Sequence, residues 1–153
     1  MALANAQVGR PVADKPVLRH HRPPGNRSMS DSSPSILVVD DSKVSRTMVI
    51  GLLRNRMPEA RFNEAPDGEK AIELFTAAPA NFVVMDFNMP GLNGVETAQR
   101  LLALRPETPI VLLTANAQAA VQAKADAAGV TFMRKPIKGE LADQIVAMVR
   151  VAA

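Results

Sequence analysis

Ile36–Val39, Phe82–Met85 and Ile110–Leu113 are short, uninterrupted runs of apolar, β-favouring residues, and the segments between them carry helical spacing. A run of that length without polar alternation is the pattern of a parallel strand covered on both faces. Arg61–Asn63 and Val130–Met133 mix polar with apolar positions, as strands at the margins of a sheet do. Three central strands and two edge strands are therefore expected.

Between the strands, Val44, Met48 and Leu52 recur every fourth residue. Ala71, Leu74, Phe75 and Ala78 form a second stripe, Val95, Ala98, Leu101 and Leu102 a third, and Leu141, Ile145, Met148 and Val149 a last. Each stripe predicts a helix laid with that face on the core. Residues 116–128 are weakly patterned but rich in alanine, so intrinsic propensity supports a helix there. Ser42 is placed as an N-cap, Asp67-Gly68 precedes the second helix, and Pro106 and Pro109 bracket the turn into the fourth strand. Five strand-helix units with right-handed crossovers predict a doubly wound α/β domain, a parallel sheet flanked by helices on both sides.

Composition narrows the chemistry. The chain has 153 residues, 47% of them hydrophobic, which suits one compact domain. No apolar run approaches the ~20 residues needed to cross a bilayer, so no membrane insertion is expected. With no cysteine, disulfides, thiolate metal sites and cysteine nucleophiles are excluded, which fits a cytoplasmic setting. Both histidines, His20 and His21, lie near the start, leaving the rest without a Ser-His-Asp triad or a histidine metal cage.

The net charge of +3 and isoelectric point near 9.7 would suggest nucleic acid if spread over a folded face. Instead, residues 1–34 hold Arg10, Lys15, Arg19, Arg22 and Arg27 against Asp14 and Asp31, and the remainder is balanced. Direct nucleic-acid binding is not expected. That stretch, with five prolines and no apolar periodicity, reads as a disordered tail preceding a domain over 35–153, and Met29 is a candidate alternative start.

In a parallel sheet, residues just past the strand ends collect along one edge, where open α/β proteins bind ligands. Asp40 and Asp41 follow the first strand, Asp86 the third, Thr114 ends the fourth, and Lys135 lies past the fifth. A flavodoxin-like order 2-1-3-4-5 would set Asp86 beside the Asp40-Asp41 pair. Two unit charges ~4 Å apart at an effective dielectric of ~20 repel by about 4 kcal/mol, so a cation is needed. Oxygen-only ligands favour Mg²⁺, and Lys135 supplies a second positive charge. An aspartate so flanked, near a small hydroxyl, is a plausible phosphoryl acceptor, with Asp86 as nucleophile.

At these residues the chain resembles the receiver domains of response regulators, and among them the single-domain CheY-like proteins. The likeness spans about residues 35–150. It rests on Leu37-Val38-Val39-Asp40-Asp41, on Glu64-Ala65 with Gly68 and Ala71, and on Met85-Asp86-Phe87-Asn88-Met89-Pro90-Gly91 with Gly94. Leu113-Thr114-Ala115 and Lys135-Pro136 complete it. The resemblance implies that a histidine kinase or phosphotransfer protein phosphorylates Asp86, that Asp41 binds Mg²⁺ directly and Asp40 through water, and that the Asn88 carbonyl completes the protein ligands. It further implies that Thr114 swings to the phosphoryl group, that Phe132 turns inward with it, and that the fourth-helix and fifth-strand surface changes its affinity for a downstream protein. Lys135-Pro136 is expected to be cis, and Asn88 and Asn116 stand where phosphoryl lifetime is tuned. The oligomeric expectation is a monomer or a phosphorylation-dependent dimer, and the single helix after Lys135 leaves no room for an output domain. Phe132 replaces the tyrosine of the chemotaxis prototype, so a switch there works by packing alone.

Two rivals remain open. One is a receiver fold used as an interaction module without phosphorylation. The other is a Mg²⁺ hydrolase resembling haloacid-dehalogenase-like phosphatases, which need a second acid two residues past the nucleophile, where this chain has Asn88.

Overall fold

A computed structural model of the protein describes residues 33–115 and 119–152. By its contacts the chain divides into Met1–Asp31 and Ser32–Ala153, and every described residue belongs to the second unit. The basic stretch up to residue 32, with His20, His21 and Met29, therefore lies outside the described residues, as does Asn116. Pro34, assigned from sequence to the tail, is buried, and its carbonyl accepts the Arg61 N–H at 2.9 Å.

Five strands and five helices alternate: β1 (Ser35–Val39), α1 (Lys43–Arg56), β2 (Arg61–Ala65), α2 (Gly68–Ala77), β3 (Phe82–Asp86), α3 (Gly94–Leu104), β4 (Ile110–Thr114), α4 (Ala119–Ala128), β5 (Thr131–Arg134) and α5 (Gly139–Ala152). The strands are all parallel, in the order β2-β1-β3-β4-β5, the flavodoxin-like arrangement. The two mixed-polarity segments are the edges, as expected.

Side chains alternate across a strand, and that alternation splits the core in two. Leu37, Val39, Val83, Met85 and Leu112 pack under α2, α3 and α4 with Phe75 and Leu101. Ile36, Val38, Phe82, Val84 and Leu113 pack under α1 and α5 with Leu53 and Ile145. Among the described residues, three helices start on side-chain caps: Ser42 Oγ accepts from Ser45 N–H, Asp67 Oδ1 from Lys70 N–H, and Asn93 Oδ1 from Glu96 N–H. Such caps satisfy amide groups that the first helical turn leaves without partners.

Two stripes need correction. On α1 the core-facing residues are Val49, Ile50 and Leu53, whereas Val44 and Met48 are 70% and 59% exposed and Leu52 is half-buried. Met48, Val49, Ile50, Leu52 and Leu53 are apolar over two adjoining faces, so spacing alone does not choose between stripes one residue, or about 100°, apart. On α2, Ala71 and Phe75 are buried as expected, but Ala78 is an exposed C-cap beyond the helix end.

Candidate functional site

The parallel register delivers the acidic residues to one sheet edge. β1 pairs with β3 through Val39 and Met85, so Asp40 and Asp86 leave neighbouring strands at the same level. Asp86, the last residue of β3, pairs with Leu113, one residue before Thr114. The Lys135 N–H donates to the Thr114 carbonyl at 2.8 Å, carrying the β4–β5 pairing up to the lysine. The Lys135–Pro136 bond is cis.

Carboxylate oxygens of Asp40, Asp41 and Asp86 lie within 4.8 Å of one another. Asp40 and Asp86 are buried and Asp41 is exposed. Lys135 Nζ donates to Asp40 Oδ2 at 2.9 Å and lies 3.4 Å from Asp86 Oδ1. The Ser42 N–H donates to Asp40 Oδ1 at 2.9 Å, so each Asp40 oxygen already accepts one hydrogen bond.

Burial is the largest influence on Asp86 and pushes its carboxyl above the usual aspartate range. Lys135 pulls the other way, the Asp40 charge adds to the rise, and a hydrogen bond from the Asn88 backbone lowers it in part. For Lys135, burial alone would favour the neutral amine. The Asp40 hydrogen bond and the charges of Asp86 and Asp40 outweigh it and raise the lysine above its ordinary value. Asp86 is thus a carboxylate whose negative charge is only partly compensated.

The loop from β3 to α3 is shaped around that group. Gly91 has φ of +79°, a left-handed conformation that favours glycine. A Cβ on Gly94 would stand 2.7 Å from the Asp86 carbonyl oxygen and 2.8 Å from Leu112 Cδ2. The Gly94 N–H closes the loop onto the Phe87 carbonyl at 2.9 Å. Asn88 is exposed on this loop and Thr114 is fully buried. Phe132, half-buried in β5, packs on the core face covered by α2, α3 and α4.

An all-oxygen donor set with a burial-destabilised carboxylate at its centre suits a hard divalent cation. Asp41 and Asp86 have oxygens to offer it, and both Asp40 oxygens are already engaged. Two groups that the sequence reading leaves out also touch the cluster: the Ser42 N–H, and Arg46, whose Nη1 donates to the Asp40 carbonyl at 2.6 Å. The available signal for Arg46 is its place one turn into α1, since helical side chains lean toward the N-terminus.

Among families of known domains, the response regulator receiver domain matches residues 36–150. The sensor kinase/phosphatase LuxN of Vibrio campbellii is 36% identical over 94 residues, 61% of this chain, which spans 11% of that protein. Protein CcdB of Bacillus subtilis is 32% identical over 67% of this chain and 86% of its own length. The solved structure of the chemotaxis protein CheY4 of Vibrio cholerae superposes with a TM-score of 0.71 at 26% identity, covering 77% of this chain and 99% of that one.

Proposed function

The chain belongs to the response regulator receiver domain family, and on that premise we propose that it is a phosphoacceptor switch of two-component signalling in which Asp86 receives a phosphoryl group from a donor phosphohistidine. The observation that carries this reading is Asp86 itself: buried at the end of β3, 3.4 Å from Lys135 Nζ and grouped with two further carboxylates.

An Asp86 carboxylate oxygen attacks phosphorus. The O–P bond forms, the N–P bond breaks, and the electron pair returns to the imidazole nitrogen, which takes a proton from solvent. Phosphoryl transfer asks a protein mainly for positioning and charge compensation. Lys135 offsets charge at Asp86, and the buried Asp40 holds Lys135 there. Asp41, Asp86 and the Asn88 carbonyl would hold Mg²⁺, with Asp40 contributing through water because both its oxygens are engaged. The bound ion supplies divalent charge against the phosphoryl oxygens.

The donor docks on α1. Exposed Met48 and half-buried Leu52 line an apolar groove of about 200 Å³ with Pro136, Ile137 and Lys135, and Lys135 also touches Asp86. A protein donor seated there would bring its phosphohistidine to the acceptor. Thr114 and Phe132 carry the change to the α4 and β5 surface, where a downstream protein binds. The receiver unit spans 35–153, works in the cytoplasm as a monomer or phosphorylation-dependent dimer, and catalyses only its own phosphorylation and dephosphorylation.

Incubation with acetyl phosphate and Mg²⁺, followed by Phos-tag electrophoresis of wild type and Asp86→Ala, tests the reading. A retarded wild-type band absent from the variant is expected. No wild-type shift would leave the fold as an interaction module without phosphorylation.

A further inference from the structure

We propose that Arg46 is the positioning residue of the acidic cluster, fixing Asp41 through the peptide that joins it to Asp40; this rests on the metal-binding reading above. Arg46 reaches back from the first turn of α1 and divides its guanidinium between two acceptors. Nη1 donates to the Asp40 carbonyl at 2.6 Å and Nε to Glu64 Oε1 at 3.1 Å. The side chain is 13% exposed, so the guanidinium is largely withdrawn from solvent and held by these bonds.

Every polar group of Asp40 is then engaged. Its N–H donates to the Ala65 carbonyl at 3.1 Å, its carbonyl accepts from Arg46, and its two carboxylate oxygens accept from the Ser42 N–H and Lys135. Asp41 contrasts with it: exposed, and without a hydrogen bond of its own among the described residues. A peptide unit is planar. Orienting the Asp40 carbonyl therefore orients the Asp41 N–H and the direction in which Asp41 leaves the backbone. Glu64 fixes the guanidinium from β2, so the orientation is referred to the sheet and not to α1 alone.

Electrostatics alone predicts the opposite sign. A guanidinium beside three carboxylates repels a divalent cation, so deleting the charge would tighten Mg²⁺ binding. Positioning predicts that deletion weakens binding, because an aspartate must be ordered before it can serve as a ligand.

The deciding measurement is a Mg²⁺ titration of the full chain followed by ¹H–¹⁵N NMR, well below the melting temperature. Arg46→Met is expected to bind about tenfold more weakly than wild type. Equal or tighter binding by a folded Arg46→Met overturns the proposal. Arg46→Lys keeps the charge but cannot span both acceptors with a single ammonium. It is expected to stay weak, and full recovery of wild-type affinity would overturn positioning through two acceptors. If Arg46→Met does not fold, Arg46→Gln, equally uncharged, carries the test: weaker binding supports the proposal and equal or tighter binding overturns it. Absence of Mg²⁺ binding in wild type would sink the metal-site reading itself, an outcome distinct from any difference between variants.

Discussion

Lys135 makes its shorter contact with Asp40, at 2.9 Å, and so ties the end of β5 to the end of β1 across 95 residues of sequence. The longer distance to Asp86, 3.4 Å, leaves the proposed acceptor carboxylate less tightly engaged by the lysine than its neighbour. Anchored on Asp40, the lysine can still offset charge at Asp86 from the longer distance.

Lys135→Met should therefore cost more than a surface charge. Asp40 is nearly fully buried, and removing its cation leaves the carboxylate uncompensated. The expected loss is about 3 kcal/mol, the low end for a buried pair because the lysine keeps 22% exposure. The folded pKa of Lys135 lies above 10.5, so its contribution is complete at neutral pH and fades only as pH climbs through the folded value. Urea melts at neutral pH with EDTA measure it, and a change below 0.5 kcal/mol would count against the pairing.

Asp86→Asn should move stability the other way. Burial raises the Asp86 carboxyl above 3.8, so the fold favours the protonated form, and that favourable contribution disappears as pH rises through the folded value. At neutral pH, without divalent cations, the amide is expected to be more stable by about 1 kcal/mol, a few degrees in Tm. The gap between wild type and variant should close as pH falls below 3.8. Thermal melts across pH check both the sign and the convergence.

Gly94→Ala should damage the site through the backbone. The added methyl would press on the Asp86 carbonyl oxygen and on Phe87 Cα, 2.7 and 2.9 Å away, neither the end of a flexible side chain. About 1–3 kcal/mol of destabilisation is expected, with weaker labelling by acetyl phosphate. Wild-type stability together with wild-type labelling would contradict the close packing.

The two faces of α1 should respond differently. Leu53→Ala empties a fully buried position and is expected to cost about 2–5 kcal/mol, whereas Val44→Ala, at 70% exposure, should stay within about 0.5 kcal/mol. Met48→Glu, in the groove beside Lys135, should also leave the fold intact. It is expected to slow transfer from a phosphorylated histidine donor protein about tenfold while sparing acetyl phosphate labelling. Equal slowing with both donors would argue against a docking role.

Most of this architecture is legible in the sequence because it depends on local apolar density and on strand-end chemistry. Ile36–Val39 and Ile110–Leu113 announce buried parallel strands, and parallel strands bring Asp40, Asp41, Asp86, Thr114 and Lys135 to one sheet edge. The buried face of α1 is not legible, since apolar residues adjoin on two sides and only tertiary packing chooses Val49, Ile50 and Leu53. Nor is the division of Lys135 between Asp40 and Asp86. Strand order brings the three together, but side-chain reach and the Ser42 amide decide which oxygen each donor takes.

Because the residues that follow β1, end β3 and follow β5 meet in a single acidic cluster, that cluster exists only in a finished molecule. A nascent or partly unravelled chain that has not yet seated β5 lacks its lysine there, so under the proposed phosphoacceptor role competence to receive a signal doubles as proof of completed folding.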